Sequence, residues 1–321
     1  MTAARQSLPE PLRIALAQYD DWSGRFLAEE TERNTVRTPL YHYTDASGLK
    51  GILESGQFWY SHYLHLNDPS ELDYGIGLLK ELVRELERNN DGRAQLLFEC
   101  VCDLARRENF QDVLDFYITC FSRKFDDLGQ WRAYADNGRG YAIGISPSAF
   151  EVQPPPSDGA PSEFLGAVHY RPEDIRHRHL EALESGQRTL LTAANCNPEA
   201  FANPMIGKSF LSELARSMLA SPIIWNCLTA KHRAYEQEDE VRQIILGQPK
   251  DLEHVVMTRI RQGSLVPYIP MQFDLRHPGK LSAIVVGPAA PPDAEVGVRR
   301  LLDHLGIADV PVLRSQIPYR V

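Results

Sequence analysis

Four clusters of polar and aromatic residues carry the side chains of this sequence that could bind or transform a ligand. The first comprises Tyr41, His42, Tyr43 and Thr44, at what the pattern predicts is the end of a short strand. Successive side chains of a strand point to opposite faces, so His42 is expected opposite Tyr41 and Tyr43. The imidazole could then donate to a sugar hydroxyl while the other face packs aromatics. A half-buried edge strand with a hydrogen-bonded structural histidine would give the same pattern.

The second cluster is the stretch LNDPSE at residues 66–71. Asn67, Asp68 and Pro69 favour a turn, and Asp68 or Ser70 could cap a helix that begins near Glu71. For a chemical role, the stretch provides the carboxylates of Asp68 and Glu71 close to the first cluster. Helix capping and chemistry are both open interpretations of these residues.

The third cluster follows an apolar stretch that predicts a buried strand, residues 113–122. Ser122 and Arg123 come just after this strand, where a loop can reach a ligand. Further along, Trp131 and Tyr134 lie about one helical turn apart and share a helix face. These two aromatic side chains could stack on a planar base, or they could be ordinary core residues.

The fourth cluster surrounds the start of another predicted strand, EVRQIIL. Lys231 precedes it, and Glu238, Glu240 and Arg242 alternate onto one predicted face. Three carboxylates in five residues (the third is Asp239) usually form a solvated edge. At the entry to an apolar strand, however, at least one must lie near the sheet interior, where a carboxylate needs a partner or a function.

Composition excludes several classes of protein. The net charge of −9 over 321 residues argues against a large non-specific nucleic-acid surface, which needs an excess of Lys and Arg. Five cysteines without a C-x-x-C pair predict reduced, mostly buried thiols and a cytoplasmic protein rather than a disulfide framework or structural zinc. No apolar run reaches the ~18 residues of a membrane span, and no secretory signal is expected. The P-loop, G-x-S-x-G and H-E-x-x-H motifs do not occur.

Predicted strands come early and late in the chain, with helices between them, which indicates an α+β fold rather than a doubly wound sheet. We expect an N-terminal helical extension over residues 1–38 and a single α+β domain over residues 39–321. A mostly helical insertion is expected at about 150–236. Its part from about 172 to 230 should form a helical layer over the sheet.

Six short motifs, taken in order, resemble a bacterial family known as domain of unknown function 2971. They include YHYT, SG and LNDP near the start, CFS before an aromatic helix, E-x-E-x-R, VVGP and IPYR. Each motif alone is weak, and their order makes the resemblance specific. They lie at residues 41–44, 49–71, 120–144, 235–242, 284–288 and 315–320.

The opening YHYT, followed by a helix, also bears a more distant resemblance to ADP-ribosyltransferases. That resemblance implies a split, mainly antiparallel sheet around NAD, which is consumed as a substrate without a metal ion. It implies His42 as the ligand of the nicotinamide ribose and Glu240 or Glu238 as the catalytic carboxylate. The remaining NAD-binding positions it implies are Tyr43, Thr44, Ser122, Arg123, Trp131 and Tyr134. Residues 119–122 replace the Ser-Thr-Ser stretch of that superfamily.

The same resemblance implies that His42 and Glu240 face one cleft. Because Glu240 lies deeper in the apolar run than Glu238, we expect Glu240 to contact the ribose and Glu238 to support it. The acceptor of ADP-ribose, whether protein, nucleic acid or water, is left open, and no membrane partner is expected. A role as a toxin or phage-defence effector is suggested only by the roles that such enzymes often have.

Two alternatives remain open from the sequence. The chain could be a nucleotide- or nucleic-acid-sensing module without catalysis. It could also be a metal-dependent nuclease, in which two acidic pairs on separate elements hold Mg²⁺. Those pairs would be Asp68 with Glu71 and Glu238 with Glu240.

Overall fold

The computed structural model describes residues 3–66, 70–86, 92–106, 114–150, 162–261, 263–307 and 309–319. Within them, ten strands form one mixed, mostly antiparallel sheet, and helices pack on both of its faces. The predicted α+β class and the mainly antiparallel sheet are therefore confirmed. The predicted turn residues Asn67, Asp68 and Pro69 lie outside the described residues.

The strands are β1 (Leu40–Thr44), β2 (Gln57–His62), β3 (Asp115–Ser122), β4 (Tyr141–Ile145), β5 (Ser162–Ala167), β6 (Glu240–Gly247), β7 (Met257–Arg261), β8 (Ser264–Gln272), β9 (Leu281–Val286) and β10 (Val312–Arg314). The α-helices are α1 (Ala3–Gln6), α2 (Glu10–Arg33), α3 (Ala46–Ser55), α4 (Ser70–Leu86), α5 (Gly92–Leu104), α6 (Leu128–Tyr134), α7 (Pro172–Cys196), α8 (Pro198–Ala202), α9 (Pro204–Met218), α10 (Ile224–Leu228), α11 (Pro249–Leu252) and α12 (Ala294–Leu305). Short 3₁₀ segments cover Tyr63–His65, Asp136–Gly138, Pro147–Phe150 and Arg233–Glu238, and a π-helical turn covers Leu219–Ile223.

The sheet is split beside its central strand. Its order is β10, β9, β4, β1, β3, β2, β8, β7, with β6 and then β5 on the other edge of β3. Strand β3 pairs with β6 over its whole length and places Ser122 opposite Glu240. On its other edge, β3 pairs with β1 only at Ser122, opposite Tyr41, and with β2 near Ile118. Strands β1 and β2 therefore diverge beside residues 119–121.

Side-chain alternation along β3 separates two apolar cores. Phe116 and Ile118 pack against the large helical layer, which is formed mainly by α2, α4, α5, α7, α9 and α10. Tyr117 and Phe121 point to the opposite face, where they pack with residues of α3 and α12. The central strands are buried on both faces, which explains their nearly continuous apolar sequences.

The helical layer contains both the predicted helical insertion and the predicted N-terminal extension. Residues 172–228 are mostly helical, as predicted, and the N-terminal helix α2 shares their core. A buried ion pair also joins them, because Nη2 of Arg178 on α7 lies 2.6 Å from Oε2 of Glu30 on α2. The predicted N-terminal extension thus packs as part of the layer.

Local sequence signals define the helix that follows β1. Asp45 accepts a hydrogen bond from the N–H of Gly48 at 2.7 Å, which caps the start of α3. The helix ends at Gly56, whose φ of 67° lies in the left-handed region that glycine tolerates. The sequence predicts Thr44 or Asp45 as the cap of this helix and Gly56 as its end, and the structure has Asp45 and Gly56 in these positions.

Three predictions about elements need correction. Strand β5 lies inside the segment expected to be mostly helical, and β7 was not predicted, because its residues are largely exposed and carry little apolar signal. The last strand is limited to Val312–Arg314. All five cysteines are free thiols, as predicted, but only Cys227 is buried, and Cys196, the last residue of α7, is exposed.

Within the residues that the structure describes, no helix combines the length and apolar character needed to cross a membrane. The longest of the described helices, α7, is amphipathic and has charged residues along its exposed side.

Candidate functional site

The split in the sheet opens into a cleft with a volume of about 900 Å³. Its lining comes from β1 and the start of α3, from β2, and from β3 at residues 118–122. Strand β7 contributes Arg259, Ile260 and Arg261, and Tyr134 of α6 lies at the end that also holds the acidic residues. The cleft therefore brings together side chains of all four clusters, with Glu71 contributed by the second.

Lys231 is the centre of a buried charge cluster at this end of the cleft. Its Nζ lies 2.5 Å from Oε2 of Glu238, 2.9 Å from Oε1 of Glu71 and 3.1 Å from Oε2 of Glu240. Three donors on the ammonium thus meet three carboxylates. Burial alone would lower the pKa of Lys231, but the charges of Glu240 and Glu71 outweigh burial and raise it. Lys231 therefore stays protonated.

Arg242 is the second cation of the cluster and is hydrogen-bonded at every nitrogen. Its Nε lies 2.9 Å from Oε1 of Glu240 and its Nη2 lies 3.0 Å from Oε2. Nη2 also contacts the carboxylate of Glu71, and Nη1 donates to the carbonyl oxygen of Leu228 at 2.7 Å. Three carboxylates against two cations leave one negative charge in excess, which makes this end of the cleft acidic.

Glu240 is held as a structural member of the cluster. Both of its oxygens accept hydrogen bonds from Arg242, and Oε2 also accepts one from Lys231. Burial raises the pKa of Glu240, but the charges of Arg242 and Lys231 more than offset this and lower it to about 2. We expected Glu240 to be the carboxylate left free for a substrate. The geometry instead gives it the most partners of the three.

Glu238 is the less constrained carboxylate. Its Oε2 binds Lys231, but Oε1 meets only the hydroxyl of Tyr134, at 3.4 Å, among the described residues, and 15% of the side chain is exposed. Burial raises the pKa of Glu238, the hydrogen bond from Lys231 opposes this, and the charges of Glu240 and Glu71 add to the rise.

The predicted strand alternation of Glu238, Glu240 and Arg242 is wrong at its first member. Glu238 ends a 3₁₀ segment, and Asp239, with a φ of 45°, turns the chain before β6 begins at Glu240. A left-handed residue interrupts the alternation of side chains. Glu238 therefore leaves the strand face and reaches the cleft from the preceding segment.

Ser122 positions the loop that carries Glu238. Its hydroxyl donates to the carbonyl oxygen of Glu238 at 2.7 Å and accepts the N–H of Lys124 at 3.1 Å. Tyr170 similarly accepts the N–H of Glu240 at 2.9 Å through its hydroxyl oxygen. Ser122 lines the cleft but is itself almost fully buried, so it orients the acidic residues.

His42 and Glu240 both line the cleft, but their side chains lie on opposite faces of the sheet, which contradicts the prediction that they face one cleft together. The ring of His42 packs edge-on against Phe58 and Phe121, whereas Glu240 lies opposite Ser122 on the alternate face of β3. The Nδ1 atom of His42 lies 2.9 Å from the carbonyl oxygen of Cys120, beside the unpaired edge of the split. One ligand is therefore not gripped between His42 and Glu240 in the way we expected.

The same contacts fix the protonation of His42. Burial lowers its pKa, and the nearby positive charge of Arg259 lowers it further, against the opposing effect of the bond to Cys120. A neutral imidazole whose Nδ1 donates to a carbonyl has an unprotonated Nε2. Nε2 can therefore only accept a hydrogen bond, and the predicted donation to a sugar hydroxyl is wrong.

Two other predicted NAD contacts, Trp131 and Arg123, are not in the cleft lining, and a third, Tyr43, has its hydroxyl occupied. Trp131 is 0% exposed, packs edge-on against Tyr43 and donates from Nε1 to Asp126 at 2.7 Å, so it is a core residue. The hydroxyl of Tyr43 is occupied by the carbonyl oxygen of Lys124 at 2.8 Å. Arg123 is not part of the cleft lining and pairs with Asp239.

Thr44, Ser122 and Tyr134 are the predicted contacts that line the cleft without such an obstacle. Tyr43 also contributes to the lining, although its ring belongs to the small core around Trp131. Tyr134 shares a helix face with Trp131, as the spacing predicted, and its hydroxyl reaches the acidic cluster.

The opposite side of the cleft is basic, and the sequence reasoning missed it. Arg259 and Arg261 line the cleft from β7, and the guanidinium of Arg259 lies over the adjacent rings of Trp59 and Tyr268. Two arginines spaced by two residues fall on one face of a strand, so the sequence MTRIR carried a signal. We missed it because β7 itself was not predicted.

The described carboxylates suggested for a metal site surround the ammonium group of Lys231. Glu71, Glu238 and Glu240 all bind Lys231, and Asp68 lies outside the described residues. Across the described ranges, no group of three or more His, Cys, Asp or Glu side chains is arranged to hold a metal ion. The ammonium of Lys231 occupies the position that a divalent cation would need.

The fold and site together define an α+β protein with a split sheet, a charged cleft and a buried carboxylate cluster at one end. Residues 130–243 match the family model described as "Protein of unknown function (DUF2971)". This match agrees with the resemblance predicted from the ordered motifs. No curated protein and no solved structure matches the chain.

Proposed function

We propose that this protein binds NAD in the split cleft and breaks the bond between nicotinamide and ribose. ADP-ribose then passes to an acceptor or to water. The observation that carries this proposal is the position of Glu238, a carboxylate at the cleft surface with one oxygen not bound to a cation. The distant resemblance to ADP-ribosyltransferases supports the same chemistry by analogy.

The chemistry requires a carboxylate where positive charge develops. When the bond between C1′ and the pyridinium nitrogen breaks, its electron pair leaves with nicotinamide and the ribose becomes an oxocarbenium-like cation. A carboxylate that holds the ribose 2′-hydroxyl stabilises this cation more strongly than the ground state, which lowers the barrier. The acceptor oxygen then bonds to C1′, and its proton is released to Glu238 or to solvent.

The surroundings of Glu238 suit this role. Lys231 keeps the side chain oriented through Oε2, and the excess negative charge of the cluster favours a cationic transition state. Tyr134, whose hydroxyl lies 3.4 Å from Oε1, is our candidate for contact with the nicotinamide ring. His42 acts from the other side of the split through an accepting Nε2, and it is not used as the ribose ligand.

The test is nicotinamide release from NAD by the purified protein in the presence of EDTA. The wild-type protein should release nicotinamide, and Glu238→Gln should reduce the rate about 100-fold, the scale of one electrostatic stabiliser. Glu236→Gln is a matched control, because Glu236 is half-exposed and interacts only weakly with Arg233 at 3.9 Å. Binding of NAD without release would instead support a sensing module, and a requirement for a divalent ion would contradict the proposal.

A further inference from the structure

Arg259 is held rigidly in the cleft, opposite the acidic cluster. Its guanidinium carbon lies 5.3 Å from the ring centroid of Trp59 and 5.8 Å from that of Tyr268. Nη2 donates to the hydroxyl of Ser61 on β2 at 2.7 Å. Stacked and hydrogen-bonded in this way, the planar guanidinium has one orientation before any ligand arrives.

This cation has no anionic partner in the described part of the chain. No carboxylate there lies within ion-pair distance of Arg259, and its Nε is buried without a hydrogen-bond partner. Burial lowers the pKa of Arg259, and the neighbouring charge of Arg261 lowers it further. Removing a charged group from water without a counter-ion is costly, so such a group usually serves a ligand.

A second arginine of the same cleft shows the contrast. Arg242 is fully buried, and all three of its nitrogens meet carboxylate or carbonyl oxygens. The fold therefore supplies carboxylates for Arg242 and, among the described residues, leaves the charge of Arg259 for an anion from outside the chain. A planar guanidinium with free N–H groups fits the oxygens of a phosphate.

We propose that Arg259 is the residue that binds the diphosphate of a dinucleotide in this cleft. The assignment rests on the proposed function and deepens it. The cleft would be bipolar, with the acidic cluster around Glu238 at the pyridinium end of NAD and Arg259 at the diphosphate. NAD carries the same two opposite charges on one molecule, and electrostatic complementarity of this kind orients a ligand.

The experiment measures binding of two ligands that differ in phosphate. ADP-ribose contains the diphosphate and lacks nicotinamide, whereas nicotinamide riboside has no phosphate. Titration calorimetry compares the wild type with Arg259→Gln, with Arg259→Lys, and with Arg299→Gln as the control. Arg299 is an exposed arginine on α12 outside the cleft lining. Melting temperatures report whether each variant is folded.

We expect Arg259→Gln to weaken ADP-ribose binding at least ~10-fold, the loss of one charge-assisted contact, and to change the affinity for nicotinamide riboside less than about 2-fold. The ADP-ribose affinity of Arg259→Lys should lie between those of the wild type and Arg259→Gln. Lysine keeps the positive charge but lacks the paired N–H donors of a planar guanidinium. Equal ADP-ribose affinity in the wild type and a folded Arg259→Gln variant would overturn the assignment and leave the proposed function standing.

Two other outcomes distinguish the assignment of Arg259 from the proposed reaction. If the wild type binds ADP-ribose through Arg259 but never releases nicotinamide from NAD, the subsite stands and the proposed reaction fails. If the wild type binds neither ADP-ribose nor NAD, both are rejected. Loss of affinity in Arg259→Gln for a single-stranded oligonucleotide alone would assign the residue to a nucleic-acid backbone and overturn the dinucleotide assignment.

Discussion

The hydroxyl of Tyr134 lies 3.4 Å from Oε1 of Glu238, while Oε2 of the same carboxylate lies 2.5 Å from Nζ of Lys231. One oxygen of Glu238 is thus anchored by a cation, and the other meets only a neutral hydroxyl in the described structure. This asymmetry distinguishes Glu238 from Glu240, whose two oxygens both bind cations.

The role of the Tyr134 hydroxyl is testable by Tyr134→Phe. Removing a neutral hydrogen bond of about 0.5–1.5 kcal/mol should lower the rate of nicotinamide release about 2- to 10-fold, because Glu238 is less well oriented. The ring is kept, so KM for NAD should change little. Steady-state kinetics check this, and an unchanged kcat would show that Tyr134 does not orient the carboxylate.

Substitutions of Glu238 and Glu240 should differ in their effect on the free energy of unfolding. Glu240→Gln removes a charge that Arg242 and Lys231 stabilise, and the lowering of its pKa from 4.5 to about 2 corresponds to a loss on the order of 3 kcal/mol. Glu238→Gln should cost less than about 1 kcal/mol, because Glu238 has a single cationic partner and its pKa is raised. Urea unfolding at neutral pH measures both, and equal losses would contradict the distinction.

The stabilisation from Glu240 should have a defined pH window. A carboxyl whose folded pKa is lowered stabilises the fold fully above its unfolded value and loses that contribution as pH falls toward the folded value. The difference in unfolding free energy between the wild type and Glu240→Gln should therefore be constant above pH 4.5 and shrink as pH falls toward about 2. A difference that stays constant across this range would show that Glu240 is not held by its cations.

The N-terminal helix should be essential to the fold. Leu16 of α2 is 0% exposed in the helical core, whereas Ile14 on the same helix is 51% exposed. Leu16→Ala should cost about 2–5 kcal/mol through lost burial and a cavity, and Ile14→Ala about 0.5 kcal/mol or less. Thermal or urea unfolding compares them. A cost for Leu16→Ala as small as that for Ile14→Ala would mean that α2 is only an extension.

The elements of the fold that depend on neighbouring residues were predictable from the sequence. Asp45 and Gly56 define the ends of α3 through contacts within a few residues, and both were expected. Strand β7 was missed because its burial pattern is mostly exposed, and only its pairing with β8 makes it a strand. Because β7 was not predicted, its two arginines and the basic side of the cleft that they form were not predicted either.

The arrangement of the site depends on long-range pairing that no local pattern contains. Lys231 meets Glu71 because α4 packs against α10, the helix that precedes Lys231. The left-handed turn at Asp239 moved Glu238 off the expected strand face; aspartate tolerates that conformation, but the local sequence does not show which aspartate adopts it. His42 was expected to donate, and its bond to the Cys120 carbonyl across the split reversed that expectation.

The most direct test of the account is a crystal structure of Glu238→Gln grown with NAD. This variant should bind the dinucleotide while turning it over slowly. We predict that the nicotinamide ribose lies beside residue 238 and Tyr134, with the diphosphate at Arg259 on the other side of the split. NAD bound elsewhere on the protein, or a cleft that stays empty at millimolar NAD, would contradict the central claim.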